Sequence, residues 1–142
     1  MIERVVFDTS SLIGAVLKVG SKPHQALMHA LDCCILCSTE QIMVELAVAL
    51  NRSYFERRLT QSDRDSFLAM LRKNAEMYCV ENTATVALDP PCRDKSDNFI
   101  LVLALAAHAD IIVSSDQDLL VLNPWRGIPI LTPAQFVAQF SI

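Results

Sequence analysis

The sequence predicts an α/β fold: a single domain over residues 1–142, built on a parallel sheet of about five strands flanked by helices on both faces, an α/β/α sandwich. Three observations lead there. Short β-rich apolar runs alternate with stretches whose apolar residues recur at helical spacing, and parallel neighbours need such helical crossovers. The strand-like runs stop at Asp, Ser or Thr, which suit turns and helix N-caps. The chain's 142 residues are 52% hydrophobic with three Gly and six Pro, enough for one core and unlike disordered, collagen-like or low-complexity chains.

Residues 2–7 carry Val5-Val6-Phe7 and stop at Asp8-Thr9-Ser10-Ser11, a strand followed by a helix start. Leu12, Ile13, Val16 and Leu17 keep helical spacing up to Gly20, and Pro23 suits the first turn of a second helix through Leu31. Cys33-Cys34-Ile35-Leu36-Cys37 is bounded by polar residues and reads as a buried strand. Ser38-Thr39-Glu40-Gln41 has the S-x-x-Q form of a capping box and introduces the apolar series Ile42, Val44, Leu46, Ala47 and Leu50. Thr60-Gln61-Ser62-Asp63 opens an amphipathic helix with Phe67, Leu68 and Leu71 on one face, and residues 77–80 form a third strand. Asp89-Pro90-Pro91 breaks regular structure before Ser96-Asp97 begins a buried helix over 99–107. Residues 111–113 form a fourth strand closed by Ser114-Ser115-Asp116; residues 128–131 form a fifth before Thr132-Pro133 caps the last helix.

Charge narrows the class of partner. Twelve Lys and Arg against sixteen Asp and Glu give a net charge of −4, so no global basic field drives duplex binding and any nucleic-acid contact relies on a local patch. Arg52, Arg57, Arg58, Arg93 and Lys95 are candidates for that patch, or else form a solvated charged surface. The five cysteines are odd in number and lie mostly in or beside apolar runs, which fits a reducing compartment. Cys34 and Cys37 make a C-x-x-C spacing, but no second pair follows to complete a zinc site. No uncharged apolar run reaches the roughly 18 residues of a membrane span, and Glu3-Arg4 stand where a signal peptide would be apolar. A cytoplasmic protein with no membrane partner is expected.

Ligands of an open α/β sheet bind beyond the carboxyl ends of the strands, where strand order reverses. Acids collect at such ends here. Asp8 follows the first strand, Asp116 follows the fourth, and Asp97 opens the helix leading into the fourth. Glu45 stands among apolar residues, on a solvent stripe or in a polar pocket. Taken singly, each acid has a structural reading as a cap, a turn residue or a partner of a helix dipole. Converging carboxylates without matching Lys or Arg repel one another, so a cation should offset them, and oxygen-only ligands select hard ions such as Mg²⁺ or Mn²⁺. The reaction class implied is metal-dependent phosphodiester hydrolysis.

The same residues carry a family resemblance. Val5-Val6-Phe7-Asp8-Thr9-Ser10 resembles the opening strand-Asp-Thr-Asn/Ser signature of PIN domains, the nuclease fold first named for the PilT N-terminus. Asp94-Lys95-Ser96-Asp97-Asn98-Phe99-Ile100 resembles their D-x-x-D-N-x-x-L segment. The stretch from Ala109-Asp110-Ile111 to Asp116-Gln117-Asp118-Leu119-Leu120 is similar to their A-D-x-I-V-T/S-x-D-x-D-L-L segment, and residues 128–136 match the usual close of the domain. Within that family the chain resembles the PIN toxins of prokaryotic toxin–antitoxin pairs.

This resemblance implies that Asp8, Glu45, Asp97 and Asp116 are the metal-binding, catalytic acids of an endoribonuclease that cleaves single-stranded RNA with Mg²⁺ or Mn²⁺. Asp94 and Asp118 fall where only some members carry acids, and Ser114-Ser115 replace a common Thr-Gly while keeping a hydroxyl. Thr9 and Ser10 would hold a metal-bound water or cap the first helix. An antitoxin partner inserting near the acids and a homodimer are also implied. Two rivals stand beside this reading: a catalytically weak or inactive PIN-fold binding or assembly module, and a phosphotransfer domain with Asp8 as acceptor. The second lacks a D-x-D pair, since Ser10 stands in place of the second Asp.

Overall fold

The computed structural model describes residues 2–52, 58–80 and 98–140. Strands β1 (Arg4–Phe7), β2 (Ile35–Thr39), β3 (Glu76–Tyr78), β4 (Ile111–Val113) and β5 (Ile130–Leu131) pair in parallel, in the order β3-β2-β1-β4-β5. The described helices are α1 (Thr9–Leu17), α2 (Lys22–Cys33), α3 (Glu40–Leu50), α4 (Gln61–Asn74), α5 (Asn98–Ala106), α6 (Gln117–Leu120) and α7 (Pro133–Ala138). Val5, Val6 and Phe7 of β1 and all of β4 are buried. Successive strand side chains alternate between faces, so a run buried at every position is covered on both, as the sequence predicts for a parallel sheet.

Packing follows from the apolar stripes. Helix α5 is apolar nearly all round, with Ile100, Leu101, Val102, Leu103 and Ala104 buried, and it packs on β1 and β2 as a central core helix. Helix α2 buries Ala26, Leu27 and Ala30 against α1, β2 and α7. Close approach of α1 and α2 depends on Gly14, where an added Cβ would lie 3.0 Å from Pro23 Cγ. Trp125 is buried, packing its loop as Pro124 beside it suggests in the sequence.

Several boundaries move. Cys33 closes α2 and is exposed instead of opening β2, because the helical ladder continues until Cys34 N donates to Ala30 O at 3.0 Å. Ser38 belongs to β2, and Thr39 caps α3, its hydroxyl accepting from Ile42 N at 3.1 Å. Residue 128 falls outside β5, since Ile128 and Trp125 exchange two backbone bonds at 2.9 Å in a tight turn. The capping boxes at Thr60–Asp63 and Thr132–Gln135 form with both hydrogen bonds.

Candidate active site

Strand order reverses between β1 and β4: the chain builds outward through β2 and β3 on one side, then crosses to β4 and β5 on the other. Ladder bonding continues one step past the strands, with Asp8 N donating to Val113 O at 3.1 Å. Asp8 and Ser114 are thereby neighbours at the carboxyl end of the sheet, where the switch-point rule places a ligand site.

Asp8 is buried and held by donors from three residues. Its Oδ1 accepts from Ser11 N at 2.9 Å, making Asp8 the N-cap of α1. Its Oδ2 accepts from Ser10 Oγ at 3.0 Å and from the buried Ser114 hydroxyl. The helix cap is therefore Asp8, and Ser10 orients that carboxylate instead of capping. Ser114 Oγ in turn accepts from Asp116 N at 2.9 Å, so one buried hydroxyl fixes both acids. Asp116 caps α6, accepting from Asp118 N at 2.9 Å through Oδ1.

Glu45 reaches the same place from α3. Gln41, Glu45 and Val48 recur on one face at spacings of four and three residues, and this face, with Arg52 just past the end of the helix, lines a cleft of about 470 Å³. Asp8, Thr9, Ser10 and Asp116 line the cleft too. Thr9 Oγ1 donates to Glu45 Oε2 at 3.2 Å, joining α1 to α3 across it. Glu45 is exposed and open to the cleft, while Ile42, Met43 and Leu46 of the same helix enter the core. Both sequence readings of this residue thus hold in part: it stands on the solvent side, and that side is a cleft wall.

The cleft brings together Asp8, Glu45 and Asp116 with Thr9 and Ser10. Ser114 lies beneath it, Ser115 meets Ser11 at 3.5 Å between hydroxyls, and Asp118 marks the start of α6. Asp94 and Asp97 lie outside the described residues, as do Arg57, Arg93 and Lys95. Of the basic candidates, Arg52 lines the cleft.

The donor set suits a hard cation. Among the described residues, Asp8, Glu45 and Asp116 accept only from hydroxyls and backbone amides, with no Lys or Arg salt-bridged to any of them. Asp8 accepts three hydrogen bonds, and a carboxylate offers about four lone-pair sites, so acceptor capacity remains on Oδ1. Among the described residues, no three His, Cys, Asp or Glu side chains gather closely enough to hold an ion by themselves. Sequence reasoning missed Gln41 and Phe99, which line the cleft beside the acids. The spacing of Gln41 to Glu45 was the available signal for the first, while Phe99 reads in the sequence as one more core residue.

Two solved structures share this fold. PAE2754 from Pyrobaculum aerophilum superposes with a TM-score of 0.62 at 13% identity, covering 96% of this chain and 88% of its own. VapBC2 from Rickettsia felis, solved bound to a DNA fragment from their promoter, gives a TM-score of 0.56 at 16% identity over 90% of this chain and 96% of its own. No curated protein matches the sequence. The family model described as the PIN domain matches residues 4–118, most of the 142-residue chain, which therefore belongs to the PIN-domain family.

Proposed function

We propose that this protein is a metal-dependent endoribonuclease that hydrolyses phosphodiester bonds of single-stranded RNA, with residues 1–142 as one nuclease domain. The observation that carries this reading is the arrangement of Asp8, Glu45 and Asp116 on one cleft at the switch point, bonded to hydroxyls and amides and not to cations. PIN-family membership supports the nuclease class. Asp97 joins the set by its place in the family motif.

These acids would hold Mg²⁺ or Mn²⁺, which neutralises phosphoryl charge and favours ionisation of water when bound. The chain's own groups do the positioning. Ser10 and Ser114 fix the plane of the Asp8 carboxylate, and the Ser114 bond to Asp116 N sets its spacing from Asp116. Thr9 steadies Glu45 on the facing wall. Arg52 would take a phosphate along the same wall, letting an acidic protein bind an anionic strand locally.

A toxin role with a protein antitoxin rests on the resemblance to PIN toxins and accords with the fold likeness to VapBC2. A homodimer is the second partner proposed, and no described helix is long and apolar enough to cross a membrane. The test is cleavage of a labelled single-stranded RNA with Mg²⁺, Mn²⁺ or EDTA. Metal-dependent cutting that leaves 5′-phosphate and 3′-hydroxyl ends is expected. Ends carrying 2′,3′-cyclic phosphate would contradict the mechanism, and absence of cutting by folded protein would favour the binding-module reading.

A further inference from the structure

A second groove, of about 400 Å³, opens beyond the carboxyl ends of β2 and β3. It is continuous with the acidic cleft, because Gln41 and Phe99 line both. Its chemistry differs from that of the cleft. Met77, Tyr78, Val80 and Phe99 supply apolar and aromatic surface, with Met77 37% exposed and so accessible. Glu40, the one formal charge on its lining among the described residues, is engaged by Arg72 at 2.6 Å. Gln41, half-buried at the junction, has no hydrogen bond to its carboxamide among the described residues. A pocket whose described lining offers π faces, no unpaired charge and one amide that can both donate and accept suits a flat heteroaromatic ring and not a phosphate.

We propose that this groove receives an unpaired nucleobase of the bound RNA, the one flanking the phosphate held over the acids, and that Gln41 reads its hydrogen-bonding edge. The inference rests on the nuclease reading for the placement of the strand. Stacking against Phe99 or Tyr78 would be tolerant of base identity, whereas the carboxamide distinguishes donor from acceptor edges, so preference at one position follows from Gln41. Arg52, just past the carboxyl end of α3 and lining the acidic cleft, would take backbone phosphate.

The test measures binding of labelled single-stranded RNA, about ten nucleotides long, to the full chain in Ca²⁺, with an abasic residue scanned along the strand and each base tried at the sensitive position. Cleavage of the same strands in Mn²⁺ is followed separately. One abasic position is expected to weaken binding on the order of tenfold. Gln41→Ala should flatten the ranking of bases there, and Met77→Trp, filling the groove from its accessible edge, should abolish the abasic penalty. Melting curves check that both variants fold. Equal binding of all abasic strands by the wild type, or an unchanged base ranking in both folded variants, overturns the proposal and leaves the groove to a protein segment. Cleavage without base preference removes the base pocket and keeps the nuclease; base-selective binding without cleavage removes the nuclease and keeps the pocket.

Discussion

The two ends of the central strands handle charge in opposite ways. At the amino end, Arg4 opens β1 and its guanidinium bonds Glu76, the Tyr78 hydroxyl and, at 2.7 Å, Ala107 O, while its backbone N–H donates to Asp110 at 2.8 Å. Glu76 there meets the Arg4 guanidinium, and Asp110 the backbone amide of the same residue. The Tyr78 hydroxyl and Arg4 hold the Glu76 carboxyl below its usual range, and Glu76 raises Arg4 in return. At the carboxyl end, Asp8, Glu45 and Asp116 meet hydroxyls and amides only. The contrast is what motivates the proposal that Asp8, Glu45 and Asp116 form a cation site.

Substitutions can break that contrast. Asp8→Asn and Asp116→Asn keep shape and caps while removing charge, and each should lower RNA cleavage by about 100-fold or more with little change in melting temperature. Steady-state rates beside thermal unfolding check both. Asp97→Asn should behave alike if the family motif carries over. Ser114→Ala deletes the hydroxyl that joins Asp8 to Asp116 N, so we expect about a tenfold fall in cleavage together with a stability loss of about 1–3 kcal/mol by urea titration. A charge at the amino end should do the reverse. Arg4→Met is expected to cost about 1 kcal/mol, modest because its side chain is 25% exposed and solvent screens the pair, while leaving cleavage unchanged. Smallest is Arg72→Ala, which breaks an ion pair whose side chains are 43% and 64% exposed and should shift stability by at most about 0.5 kcal/mol.

A further prediction concerns the Cys34 thiol. Burial pushes the Cys34 thiol up to about 11, with the Glu3 and Cys33 charges adding to the shift. It should therefore stay protonated and resist alkylation by iodoacetamide at neutral pH. Reaction should become appreciable as pH approaches that value, which mass spectrometry of modified peptides would follow.

Much of the fold was legible because local and global signals agree. The strand over 111–113 and the helix starts at Thr60 and Thr132 are confirmed because apolar runs and cap residues coincide there. Where they diverge, the sequence misleads. Cys33 is apolar enough to pass for strand, yet the buried face of α2 carries the helix through it. Ser38 satisfies the capping pattern in composition, while β2 pairing draws it into the sheet and shifts the cap to Thr39.

The site divides in the same way. Asp8 and Asp116 were legible as acids at strand ends, and the structure brings both to one cleft with Glu45. The roles of Ser10 and Ser114 as props for Asp8 were not, since hydroxyl direction depends on β1 meeting β4, a contact between residues about a hundred positions apart in the chain. Gln41 and Phe99 were invisible as a junction because the second groove exists only once β3 lies beside β2.

Titration of the metal-free protein with Mn²⁺ by calorimetry, on wild type beside Asp8→Asn and Asp116→Asn, tests most directly whether the unneutralised acids hold a cation. Saturable uptake by the wild type that is lost or greatly weakened in both variants is the result expected. Equal uptake in all three proteins, or none by folded wild type, would contradict a metal site at the carboxyl end of the sheet.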